Sequence, residues 1–323
     1  MTIAALPITE DTTPERPDDS ANIWRQVFRS NRVLWGGGIL LAIVAACLLT
    51  LPWTLGIEKN GTPVYAYNYP NAVRTPPRLW PPRDWMGYDG LGESLFARAL
   101  LGGTISLAVG IAAALIAMVL GVTVGLFAGY RGGWVDSVLM RIVDILYGLP
   151  YILLIILFKI ALEQPLSHLF NSALTANLVV LFAAIGLVSW LTMARVVRGQ
   201  VLSLRSQPFI EACRAMGLKE SRIFIRHILP NLVGPIMVYA TLTVPSAILQ
   251  ESFLSFLGVG VNPPLPTWGS LASEGVAQLS PVKVHWWLLV FPCTLLAVTL
   301  LSLNFMGDGL RDVFDPKKEA AKI

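Results

Sequence analysis

Charge is scarce in this chain. Of its 323 residues only 14% are Asp, Glu, Lys or Arg, while 54% are hydrophobic; soluble domains carry roughly a quarter charged residues. A soluble globular domain is thereby excluded. Cysteine is scarce too, since Cys47, Cys213 and Cys293 offer neither C-x-x-C nor an obvious disulfide pair. His168, His227 and His285 lie far apart without H-E-x-x-H, which leaves a metal site without sequence support. No Lys follows a Gly anywhere, so the phosphate-binding loop G-x-x-x-x-G-K-[ST] is missing. No catalytic residue, cofactor or metal is assigned on these grounds. The formal charge of +4 is too small an excess to imply nucleic acid. A proton relay would need several ionisable groups at mid-membrane depth, and none is visible.

Long apolar runs are what the chain has in abundance. Six are long enough to cross a hydrocarbon core of about 30 Å at 1.5 Å per helical residue. They read as Val33–Leu55, Thr104–Ala128, Ile142–Phe158, Leu178–Ala194, Leu232–Leu249 and Trp286–Phe305. The third contains Pro150, and the second carries Gly110, Gly121 and Gly125, small residues that let a neighbouring helix approach. Segments 1–32, 129–141, 195–230 and 308–323 together hold 17 Lys and Arg, against 7 in segments 56–103, 159–177 and 260–285. The positive-inside rule therefore places both termini in the cytoplasm. The resulting division is a polar tail 1–32, a first membrane helix 33–55, an outer segment 56–103, a five-helix core 104–307 and a tail 308–323. Acidic residues and prolines in the first twenty residues predict disorder there. The outer segment is rich in Tyr65, Tyr67, Tyr69, Trp80 and Trp85, suited to a cap on the membrane interface or to an external partner's surface.

Within the inner loop 195–231, the stretch Glu211–Asn231 departs from a plain basic loop. Helix formers run from Glu211 to Met216, Gly217 stands where a helix C-cap belongs, and Pro230 is expected to interrupt a second short helix. Lys219, Arg222 and Arg226 make one cationic stripe on that second helix, while Ile225 with Leu229 and Phe224 with Ile228 make apolar pairs. Two short helices of this kind suit docking into a partner's groove. A solvated loop that only fixes membrane orientation would show the same charge.

Residues along the chain resemble a known family. Glu211, Ala212, Gly217, Ile228, Leu229 and Pro230 match the E-A-A-x-x-x-G coupling loop of binding-protein-dependent ABC import permeases, with Cys213 in place of the second alanine. Residues 86–93, 129–136, 255–269 and 304–316 are similar to further segments of the dipeptide and oligopeptide permeases, in the same order. The match at 86–93 departs from the family pattern at Tyr88 and at Gly92-Glu93. The resemblance implies an all-α membrane protein with six transmembrane helices in the type I ABC importer permease architecture, located in the inner membrane of a prokaryote. It implies two ABC ATPase subunits or domains as partners, a second and different permease, an extracytoplasmic solute-binding protein and membrane lipid. Di- and oligopeptides are the implied cargo, with nickel, glutathione and some sugars carried by close relatives. A self-contained secondary transporter or channel is the alternative.

Two sets of ionisable groups lie near the spans. Arg141 and Asp144, three residues apart, are expected to pair on one helix face. Gln250 and Glu251 fall near the outer end of the fifth span, where they would either line a substrate pathway or reach the interface. The topology has a direct check. In a chain lacking its native cysteines, a cysteine at Ser206 is expected to be shielded from an impermeant thiol reagent applied to intact cells, and one at Gly61 to react. The reverse pattern would invert the orientation.

Overall fold

The computed structural model describes residues 30–59, 62–64, 67, 73–170, 172–280 and 283–314. Expectations for the tail before Ser30, for Gly61, Tyr65 and Tyr69 and for the segment from Asp315 onward lie outside the described residues. Apart from one short hairpin, every described element is helical. Helix α1 (Asn31–Leu49) and a one-turn α2 (Leu51–Leu55) lead into antiparallel β1 (Ile57–Lys59) and β2 (Thr62–Val64). There follow α3 (Leu95–Arg131), α4 (Gly133–Tyr147), α5 (Tyr151–Phe170), α6 (Ala173–Arg205), α7 (Pro208–Ala215) and α8 (Glu220–Ile223). A π-helical turn (Phe224–Ile228) then runs into α9 (Leu229–Phe256), followed by α10 (Trp268–Ala277) and α11 (Trp287–Phe314). Six helical stretches among these are long and apolar enough to cross a membrane.

Three expectations are corrected. Helix α3 has 37 residues, about 55 Å at 1.5 Å per residue, so it projects well beyond the apolar run Thr104–Ala128. The third span begins at Tyr151, after Pro150, because residues 142–147 belong to α4, a separate helix. The residue before a proline is pushed out of the helical region, and here Leu149-Pro150 forms the joint. The second short helix of the 195–231 loop does not stop at Pro230 either. A candidate span runs unbroken from Glu220 to Phe256, through the π turn. Pro230 has no N–H to give and its ring crowds the carbonyl four residues back, which the wider π turn relieves. Asn231 Nδ2 donates to His227 O at 2.6 Å, satisfying a carbonyl at this irregular turn.

Helix α3 is the axis of the bundle. An ideal Cβ on Gly121 would lie 2.5 Å from Met193 Cβ, and one on Gly125 2.6 Å from Ala194 O, both on α6. On the opposite side of the chain order, Gly110 meets Ile248 of α9 at 2.4 Å by the same construction. The three glycines singled out by sequence are thus helix contacts. Helix α1 packs on α11, with Leu40, Ile43 and Val44 against Leu300 and Leu303. At the end away from Glu211, α10 packs against α3, α9 and α11, its Trp268 indole donating to Ala99 O at 2.9 Å.

The glycine contacts are testable by a single methyl group. Gly125→Ala is expected to lower the detergent-solubilised chain's thermal stability, by about 1–3 kcal/mol for overpacking. Gly38→Ala, whose added Cβ meets nothing within 4 Å, should be neutral or slightly stabilising. Equal melting of the two variants, followed by the monodisperse fraction surviving heating, would contradict this packing.

Candidate functional site

The Glu211–Asn231 segment folds as a small unit with its own apolar interior. Pro208 starts α7 at a position where its missing N–H costs nothing, and Glu211 sits in the first turn, where the helix dipole favours a carboxylate. The helix ends in a two-bond C-cap: Gly217 N–H donates to Arg214 O at 2.9 Å and Leu218 N–H to Cys213 O at 3.2 Å. That cap needs a left-handed residue, and Gly217 supplies it at φ +77°. Arg214 then clasps the turn, its Nε donating to Glu220 Oε1 at 2.7 Å. Ile210, Cys213, Ile223 and Ile228 are buried together with Met193, Val197 and Val201 of α6 and with Leu232 of α9.

Of the residues expected to act here, Glu211, Ala212, Gly217 and Pro230 are exposed, Leu229 is half-buried and Ile228 is buried. One apolar pairing is corrected. Ile225 is 64% exposed, and Ile223 occupies the interior instead, because the π turn rotates the face that points inward. Phe224 packs beside Ile228 as expected, its ring 4.5 Å from that of Tyr130. Ile225 lies with Lys219, Ser221, Arg222 and Arg226 around an open hollow of about 360 Å³. Phe209 and Met216, the latter 70% exposed, add apolar surface on α7 and at its C-terminal cap. Sequence reasoning missed these exposed side chains and the internal role of the arginines. Arg198 grips Asp136 through two bonds of 2.6 Å, and Arg205 caps Gly129 O and Tyr130 O at 2.8 and 3.1 Å. Asp144 accepts from Arg195 at 2.8 Å, across helices, in place of the expected Arg141. Arg195 also lies over the Tyr147 ring, 3.9 Å from its centre.

Helix α9 carries the second set of candidates. Thr241 and Leu242 approach Gly307 of α11, and Val244 and Ile248 approach Gly110 of α3. Tyr239, Thr243, Ser246 and Gln250, spaced four, three and four apart, share the remaining face. Tyr239 and Ser246 are exposed, Thr243 and Gln250 are half-buried, and the amide oxygen of Gln250 is buried without a hydrogen-bond partner. Glu251 does not reach an interface. It is 0% exposed and accepts hydrogen bonds from Ser255 at 2.7 Å, Ser106 at 3.0 Å and Ser252 at 3.3 Å, with Thr267 adding another.

At the same end of the bundle, a cavity of about 780 Å³ opens between α10 and the segment 89–93. Arg98 holds its wall, pairing with Asp89, with Glu93 at 3.2 Å and with both oxygens of Glu274 at 2.8 and 2.9 Å. Burial pushes the Glu93 carboxyl above its ordinary value, with the Arg98 guanidinium opposing that shift. Asp89, in the segment whose family resemblance is imperfect, thus finds its cationic partner on α3, outside the motif.

Comparison with known proteins completes the picture. The chain is 37% identical to the oligopeptide transport system permease protein OppC of Bacillus subtilis (strain 168), over 92% of this chain and 91% of that one. It is 47% identical to the Escherichia coli (strain K12) OppC over 72% of both chains. Its backbone resembles a chain of the MetNI methionine ABC transporter solved in inward-facing conformations, with a TM-score of 0.52 at 20% identity, covering 68% of this chain and 97% of that chain. The fold is therefore that of a type I ABC importer permease. Residues 121–320, which take in α6 to α9 and the whole Glu211–Asn231 unit, match the family model described as "binding-protein-dependent transport system inner membrane component". On the fold, the relatives and that match together, the chain belongs to the family of binding-protein-dependent transport system inner membrane components, as the membrane-embedded permease subunit of an ABC importer.

Proposed function

We propose that this chain forms one half of a pathway for di- and oligopeptides, or a related small solute, and that its Glu211–Asn231 unit seats in a groove of an ATPase subunit. The working assembly pairs it with a second, different permease, two ATPase subunits or domains and an extracytoplasmic binding protein. Its Glu211 end and both termini face the cytoplasm, as the distribution of Lys and Arg supports. One observation carries the coupling reading. The unit is closed by its own core on α6, yet Ile225 exposes apolar surface beside the cations of Lys219, Arg222 and Arg226, and Phe209 and Met216 expose more on α7 and its cap. Solvated orientation loops have no need of that apolar surface, whereas a mixed apolar and cationic knob fits a groove. The oligopeptide permeases among its relatives support the cargo.

The pathway itself is assigned to the polar face of α9. By helical spacing Tyr239, Thr243, Ser246 and Gln250 lie on a different side of α9 from Val244 and Ile248, which meet α3, at membrane depth, where polar groups are costly against lipid. Facing a second permease across a hydrated passage, they gain partners that lipid does not offer. Glu251, packed among hydroxyls, does not line that passage in this conformation.

Three variants at matched membrane expression test the coupling assignment. Gly217→Val places a β-branched residue at φ +77°, a strain of about 1–3 kcal/mol, and should abolish ATPase pull-down and substrate uptake while insertion survives. Glu211→Ala should be milder, since Glu211 is exposed in the free chain, and Lys219→Ala milder still. Full uptake by Gly217→Val would sink the assignment. The purified chain alone is expected to hydrolyse no ATP and to drive no uptake in vesicles. Mass spectrometry of solute copurifying with the intact importer identifies the cargo, and a non-peptide solute would replace the peptide reading.

A further inference from the structure

The turn that follows α9 is held by side chains from three separate spans. Helix α9 is capped by Gly258, φ +77°, whose N–H donates to Ser255 O at 3.0 Å while Val259 N–H donates to Leu254 O at 2.9 Å. Beyond that cap no regular structure satisfies the backbone, and polar side chains do so instead. Lys159 of α5 is only 7% exposed, and its Nζ donates to Val259 O at 2.5 Å and Gly260 O at 2.8 Å. Ser255 Oγ accepts from Val261 N–H at 3.4 Å while donating to Glu251. Asn177 of α6, 3% exposed, accepts from Asn262 N–H at 3.1 Å. The fit is close enough that a Cβ on Gly260 would come within 1.9 Å of Ser255 Oγ. On its other side, Glu251 reaches Ser106 of α3, whose hydroxyl accepts the N–H of Trp268 at the start of α10.

Among the described residues neither Lys159 nor Glu251 is held by a salt bridge, although the Glu163 carboxylate lies within electrostatic reach of Lys159 on the same helix. Their partners are carbonyls and hydroxyls. A buried, unpaired charge gives up hydration and is not repaid by a few neutral hydrogen bonds as it would be by a close ion pair. The same turn lines the 780 Å³ cavity through Ser255, Gly258, Val261 and Asn262. Moving the turn toward that cavity would exchange the bonds from Lys159, Ser255 and Asn177 for bonds to water and would rehydrate Lys159. A turn held by a few side-chain bonds beside a cavity has the form a two-state element needs if a partner is to shift it.

We propose that Lys159, Asn177 and Glu251 are positioning residues of the transport cycle, which hold the Gly258–Asn262 turn shut over the outer end of the pathway and release it when that side opens. This rests on the permease reading above, and only the ATPase-distal end is involved.

The test uses the whole importer, with its ATPase subunits and binding protein, built on a permease freed of Cys47, Cys213 and Cys293. Asn177→Cys together with Asn262→Cys is bridged by a short bismaleimide carrying a reducible linkage. The bridge is expected to form in the resting complex and to cut uptake by about tenfold or more, with reduction restoring it and ATPase pull-down unchanged throughout. Failure of the bridge to form, or transport by the bridged complex, overturns the proposal. The loss is read against uptake by the same complex before bridging, and if that complex transports nothing the Lys159 measurement below decides. Lost ATPase pull-down in the unbridged importer would instead speak against the coupling reading. A second measurement separates latch from scaffold: Lys159→Met should raise binding-protein-independent ATP hydrolysis several-fold, and Lys159→Arg should not. Unchanged basal hydrolysis in Lys159→Met removes Lys159 from the latch, and if that variant does not accumulate the bridge decides alone.

Discussion

Where α3 meets α6 there is no room for a methyl group. At Gly121, Gly125 and Gly129 an added Cβ would fall within 2.5 to 2.8 Å of α6 atoms. In lipid the hydrophobic effect gives helices little reason to associate, so contact of this closeness, with its dense dispersion, is the main source of cohesion. The rest of the loop end inherits its position from it. Met193, Val197 and Val201 touch these glycines on one side and close the interior of the Glu211–Asn231 unit on the other. Arg205 then ties the C-terminal end of α6 to the backbone of Gly129 and Tyr130, at the end of α3. The Glu211–Asn231 unit is thus seated on the most extensive helix contact of the bundle.

The seven basic residues of segment 195–230 divide by use. Arg195, Arg198, Arg205 and Arg214 bond internally to Asp144, Asp136, backbone carbonyls and Glu220. Lys219, Arg222 and Arg226 remain around an open hollow at the surface. Counting Lys and Arg treats all seven alike, because topology depends on charge near the membrane and not on what each charge touches. The structure separates the cations that build the knob from those it presents.

Much of the fold was legible for a simple reason. Bilayer thickness fixes a minimum apolar length, and six runs satisfied it. The Gly217 turn was legible because few residues tolerate a positive φ. What escaped the sequence depended on long-range geometry. Pro150 and Pro230 look alike as helix breakers, yet one stands between two helices and the other is absorbed by a π turn. Asp144 has Arg141 three residues away but bonds to Arg195, 51 positions later. Lys159 counted as one more residue of an outer loop, whereas it is buried among the carbonyls of a turn 100 residues downstream. Glu251 is a lone carboxylate by sequence, and its serine partner on α3 lies 145 residues away.

The unbroken helix from Glu220 to Phe256 has a mechanical meaning. Its 37 residues make a rod of about 55 Å at 1.5 Å per residue. Both of its ends meet a glycine of φ +77° closing the same two-bond cap: Gly217 just before it and Gly258 just after. Such glycines permit the flanking segments to swivel without bending the rod. The spacing of side chains along it converts rotation into exchange of faces: a twist of 100° brings a different residue to any given neighbour. If the Glu211–Asn231 unit couples as proposed, a torque applied at Ile225 has one continuous helix along which to reach Glu251.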